Sequence, residues 1–146
     1  MKSGSSDGFS LVELAIALLL MGLVLSFSVP ALHGFVSSYR LHGAAADITH
    51  RLSAAREQAK ASGKPRTVRF MSGFQGSDYH VWNGSSAHPK WKLPAHIGYD
   101  WAPGTGATYR MSPDGRCLDS GMIILEDWRG KRDTIVVRSS GAISSP

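Results

Sequence analysis

Between Phe9 and Val29 the chain has one ionisable side chain, Glu13, in a run of Leu, Val, Ile, Ala, Met and Phe interrupted only by Ser and Gly. At about 1.5 Å rise per residue this run reaches roughly 30 Å as a helix, the thickness of a bilayer's hydrocarbon layer. A core helix of a small domain keeps one polar face, and this run has none. Residues 9–29 are therefore expected to span a membrane. An acidic side chain near the end of such a helix costs about 2 to 3 kcal/mol and is seldom kept without a partner. If the chain is cut between Gly8 and Phe9, Glu13 becomes the fifth residue, one helical turn from a new positively charged amino group. In a packed assembly the partner is instead the amino group of a neighbouring chain.

Two simpler readings account for the apolar run but not for Glu13. A secretory signal peptide has a basic start, a shorter apolar core and a small-residue cleavage site after it. Lys2 supplies little charge, and Ser26-Phe27-Ser28 is a poor cleavage match. An uncleaved signal anchor leaves the carboxylate unexplained.

A short polar leader ending in Gly8, then Phe9-Ser10-Leu11-Val12-Glu13 and an apolar run, resembles the prepilin leader of type IV pilins and type II secretion pseudopilins. The resemblance implies that residues 1–8 are a leader removed by a prepilin peptidase. Cleavage falls between Gly8 and Phe9, the new N-terminal Phe9 is N-methylated, and Glu13 acts in assembly.

The rest of the chain, residues 30–146, is long enough for one compact domain and too short for two. A single cysteine, Cys117, excludes an internal disulfide, so packing alone must hold this domain together. Net charge is +5, and residues 64–146 carry eleven Lys or Arg against seven acids. That balance permits an anionic partner without requiring one. Lys2 before the apolar run orients the N-terminus to the cytoplasm and the domain to the periplasm.

Pro30 ends the purely apolar run and is expected to kink the helix without stopping it. Beyond it the pattern turns amphipathic: Leu32, Phe35, Val36, Tyr39, Ala45, Ile48, Leu52, Ala55 and Ala59 recur every three or four residues. Gly63 and Pro65 supply the stop. Short strands are expected at residues 67–71, 79–82, 108–111, 122–126 and 134–137. Turns are expected at Ser112-Pro113-Asp114-Gly115 and Asp127-Trp128-Arg129-Gly130. Residues 83–98 read as a loop and residues 139–146 as a polar tail. One long helix against antiparallel strands is an α+β arrangement.

The helix end Ala55-Arg56-Glu57-Gln58-Ala59 and the following Gly63-Lys64-Pro65-Arg66-Thr67-Val68 are similar to the FimT/GspH family of minor pilins and pseudopilins. Tyr109-Arg110-Met111-Ser112-Pro113-Asp114-Gly115 resembles that family's Phe-x-Pro-x-Gly turn, and residues 123–141 its closing strands. The family's fold, an N-terminal helix on a β-sandwich of two antiparallel sheets, is what the resemblance implies here. Its DNA-uptake members carry Gly-Arg-x-Arg near the C-terminus, where this chain has Gly141-Ala142-Ile143-Ser144 and lacks both arginines. Arg129, Lys131, Arg132 and Arg138, near Trp128, remain as candidate DNA contacts. The bland reading, which is preferred, is a solvated hairpin whose charges discourage edge-to-edge aggregation.

No metal or cofactor site is expected. His80, His88 and His96 lie eight apart without the short spacings of a metal site. There is no nucleophile elbow, phosphate loop or dinucleotide fingerprint. Trp82, Trp91, Trp101 and Trp128 read as core and loop anchors. The chain reads as a non-enzymatic filament subunit of a type IV pilus or a type II secretion pseudopilus. Its expected partners are a prepilin peptidase, inner-membrane lipid and other pilins or pseudopilins, with DNA binding for uptake as the alternative. Because the peptidase must fit the residue before the cut, Gly8→Ala should process far better than Gly8→Phe. N-terminal sequencing of the membrane-bound product checks this, and a mature chain starting anywhere but Phe9 defeats the leader reading.

Overall fold

The computed structural model describes residues 10–74, 77–82, 87–100 and 106–145. It opens on helix α1 (Leu11–Ser62), followed by eight strands: β1 (Arg66–Phe74), β2 (Ser77–Trp82), β3 (Ala87–Trp91), β4 (Ile97–Tyr99), β5 (Gly106–Met111), β6 (Gly121–Asp127), β7 (Arg132–Val137) and β8 (Ile143–Ser144). The chain separates into two units, Met1–Val36 and Ser37–Pro146. Within the second, the strands form two four-stranded sheets of order β3-β2-β1-β5 and β4-β6-β7-β8, antiparallel throughout. This is the α+β arrangement expected from the sequence.

From Leu41 onward α1 has a buried seam at Leu41, Ala45, Ile48, Leu52, Ala55 and Ala59, alternating steps of four and three residues. That spacing keeps one stripe facing inward at about 100° per residue. The seam shares one apolar cluster with Val68, Phe70, Tyr79, Tyr109 and Met111 of the first sheet and Ile123, Leu125, Ile135 and Val137 of the second. Alternation along the strands puts these residues on one face. In β6, Ile123, Leu125 and Asp127 are buried, and in β7 Asp133, Ile135 and Val137 are, while the residues between them are more open. Across β1, Tyr79 stacks on Phe70 at 5.6 Å, and Tyr109 meets the Phe70 ring edge-on at 5.8 Å.

The helix stops where expected, with Gly63 in the left-handed conformation at φ 62°. Two features differ from the sequence reading. The inward stripe does not begin at Leu32, because Leu32, Phe35, Val36 and Tyr39 are all exposed. Tyr39 and Ala45 are six residues apart, about 240° around the helix once a full turn is removed, so the two apolar series occupy different faces. Residues 83–98 are not a continuous loop, since β3 and β4 lie within that range. β3 is an edge strand, the position where a proline such as Pro89 is tolerated, and β4 is too short to show a period. The tail likewise forms the two-residue strand β8 on the edge of β7.

Leu52 is completely buried and Phe35 is 71% exposed. Leu52→Ala should therefore cost about 2 to 5 kcal/mol and Phe35→Ala well under 1 kcal/mol. Denaturant unfolding of the two variants checks the contrast, and equal losses would place the core seam wrongly.

Candidate functional site

The start of α1 explains why Ser10 and Glu13 stand where they do. The Ser10 carbonyl accepts the first helical bond from the Leu14 N–H at 3.1 Å, and its hydroxyl accepts the Val12 N–H at 3.3 Å. Ser10 is thus the cap, and Glu13 falls in the first turn, where a carboxylate offsets the partial positive charge of the helix end. The Ser-x-x-Glu spacing is that of a capping box, a local signal the sequence reading did not use. After it, the large apolar side chains among residues 11–27 are each between 53% and 84% exposed. Leu18, Leu19, Leu20 and Met21 are consecutive, so the exposed apolar surface runs around the whole helix. Among the described residues no helix is long and apolar enough to cross a membrane. Residues 11–27 extend about 26 Å at 1.5 Å each. Gly8 and Phe9 lie outside the described residues, and α1 runs through Pro30 without a break in its helical assignment.

The turn between β6 and β7 is built around Asp127. Its carboxylate accepts the Arg129 and Lys131 N–H groups at 2.9 and 2.8 Å and the Ser37 hydroxyl at 2.6 Å. Gly130 closes the turn at φ 78°, its N–H donating to the Asp127 carbonyl at 2.9 Å. The Ser37 hydroxyl, with the Lys131 and Arg129 amides, holds the Asp127 carboxyl below the usual carboxylate range against the opposing effect of burial. Lys131 Nζ in turn donates to the Ser38 hydroxyl at 3.0 Å.

Of the four candidate DNA contacts, Arg129, Lys131 and Arg132 belong to the turn between β6 and β7 or its edge, and Arg138 stands apart from them. Arg132 is held by Glu126 at 2.9 Å and Asp100 at 3.2 Å. Arg129 lies 5.9 Å from the centre of the Trp128 ring. Arg138 follows the far end of β7, roughly 20 Å from Arg132 at strand rise. Trp128 is 66% exposed, unlike half-buried Trp91, which stacks on Tyr79 at 5.4 Å under the Arg51 guanidinium at 4.2 Å. Trp101 lies outside the described residues. Asp47 accepts hydrogen bonds from Arg51 Nε at 2.8 Å and from the Tyr79 hydroxyl. Burial raises the Asp47 carboxyl and these two bonds outweigh it, so the net shift is downward.

Three stretches that the sequence sets far apart meet at one point. Arg56 Nε donates to the Gly115 carbonyl at 2.7 Å, and a side chain on Gly141 would collide with that same carbonyl. Gly141 is in the left-handed region at φ 82°. The end of α1 at Arg56, the turn at Gly115 and the turn at Gly141 are thus packed together. Sequence spacing alone shows none of this, because the three lie 59 and 26 residues apart.

The chain matches a solved structure, the minor pseudopilin EpsH from the type 2 secretion system of Vibrio cholerae, with a TM-score of 0.54 over 73% of this chain and 96% of that one, at 14% identity. The fold is pseudopilin-like. No family model and no curated protein matches the sequence.

Since the folded Asp127 value lies below the unfolded one of about 3.9, the stability it contributes is present above that pH and lost as pH falls through the folded value. Asp127→Ala should lower the melting temperature at pH 7, and the gap from wild type should close below about pH 4. Thermal melts followed by circular dichroism across that range check it; a gap independent of pH would leave the carboxylate without this role.

Proposed function

We propose that the chain is a minor pilin or pseudopilin, a structural subunit that takes part in starting or tipping a helical filament. The leader is cut after Gly8, Phe9 is methylated, and residues 9–29 hold the subunit in a bacterial inner membrane with residues 30–146 in the periplasm. The observation that carries this reading is the ring of exposed apolar side chains along residues 11–27, which needs lipid or neighbouring helices to cover it. The proposed span, residues 9–29, extends beyond that stretch on both sides. The pseudopilin-like fold supports the reading, as does the leader-like sequence before it.

Assembly is then a change of surroundings for one helix, from lipid to a bundle of like helices. Ala15, Ala17 and Gly22 supply the small residues that let such helices approach, and a side chain on Gly22 would meet nothing within 4 Å in the isolated chain. Glu13 is already suited to a helix start, and in the filament it would pair with the amino group of Phe9 or of a neighbour.

Glu13→Ala should leave cleavage and membrane insertion intact, since an apolar residue inserts more easily, while reducing recovery in sheared filaments. A minor subunit tolerates the change better than a major one, so a partial loss is expected. Membrane and filament fractions are compared by immunoblot, with cleavage followed by the size shift. Equal recovery of mutant and wild type in filaments, with normal processing, would falsify the pairing role. Deletion of the subunit separates the two machines: surface pili are lost in one case, a secreted exoprotein in the other.

A further inference from the structure

We propose that the groove between α1 and the chain linking β3 to β4 docks a segment of a partner protein that presents a carboxylate beside an apolar side chain. The groove is about 270 Å³ and is lined by Arg40, Gly43 and Ala44 of α1 and by Lys92, Leu93 and Pro94 of the link. Ligand pockets for whole cofactors or drug-sized molecules run from roughly 300 to 1,000 Å³, so this one suits one or two side chains.

Its charges are unequal in a way that selects the occupant. Asp47 is the one acid lining the groove, and its carboxylate is already taken by Arg51 and the Tyr79 hydroxyl. Arg40 and Lys92 have no ionic partner among the described residues. Two open cations beside an apolar wall complement a carboxylate carried next to an aliphatic side chain.

Gly43 is an independent pointer to an occupant. A glycine inside a helix weakens it, and that cost is usually offset where something packs against the bare backbone. Here a Cβ on Gly43 would meet nothing within 4 Å among the described residues, so its backbone is left open on that side.

The test uses the full chain in detergent micelles, with the peptide acetyl-Leu-Glu-Leu-amide and its Gln counterpart as probes. Shifts of the Gly43 and Leu93 amide resonances are the readout, so binding is measured on the isolated chain whatever filament it enters. The Glu peptide should bind saturably, at about millimolar strength, and weaken as salt rises from about 0.05 to about 0.5 M. The Gln peptide, and the double variant Arg40→Glu with Lys92→Glu, should each bind on the order of tenfold more weakly. A Cβ at Gly43 meets nothing within 4 Å and the helix gains a better former, so Gly43→Leu should keep or raise the melting temperature while binding is lost. Equal binding of the Glu and Gln peptides, no shift up to about 10 mM, or unchanged binding by Gly43→Leu would overturn the proposal. Displacement of the peptide by duplex DNA would overturn it in favour of a nucleic-acid site.

Discussion

The domain depends on one stripe of one helix. Leu41, Ala45, Ile48, Leu52, Ala55 and Ala59 are shared by two sheets that, among the described residues, have no hydrogen-bonded strand pair in common, so the stripe gives both a common apolar face. Its alanines let the sheets come close to the helix, while Leu41, Ile48 and Leu52 share the bulk of the core with the opposing aromatic and branched side chains. The polar ties lie around the stripe: Ser37 to Asp127, His42 to Asp133 at 2.7 Å, and Arg56 to the Gly115 carbonyl. Each joins the helix to a loop or strand whose position would otherwise rest on apolar contact, which has little directionality.

The same helix carries a different chemistry earlier on. Residues 11–27 are apolar on every side, whereas from Leu41 the apolar residues keep to one side. A filament reading uses both, the first part for lipid and neighbouring helices and the second for the subunit's own domain. Glu13 has a local reason to exist, as a first-turn carboxylate three residues after a capping serine, and the proposed filament would give it an intermolecular one, as an ion-pair partner. The two are compatible, because a carboxylate at a helix start remains free to meet a cation from outside.

Much of the fold was legible because its signals are local. Gly63 with Pro65, the alternation of Val68 and Phe70, and the glycines of the turns at Gly115 and Gly130 each depend on a few adjacent residues, and each appears where the pattern placed it. The helix face from Leu32 to Tyr39 was misplaced because spacing reports periodicity without phase; only the partner surface decides which of two apolar stripes is buried. Strands β3, β4 and β8 were missed because edge strands tolerate proline and three-residue strands have no period. The meeting of Arg56, Gly115 and Gly141 is a tertiary fact. The exposed apolar helix was evident from composition alone, whereas the groove beside Gly43 depends on two segments some fifty residues apart.

The order in which the chain is made bears on how it folds. Ser37, Ser38 and His42 find their partners at Asp127, Lys131 and Asp133, some ninety residues later. The second sheet completes itself only with β8, at the end of the chain. The helix is therefore synthesised first and satisfied last, and its seam stays uncovered until nearly the whole polypeptide has emerged. Contacts of such long sequence separation make for slow folding and a prolonged exposure of apolar surface. A nascent chain of this design carries an uncovered helix seam until β6, β7 and β8 arrive to close over it.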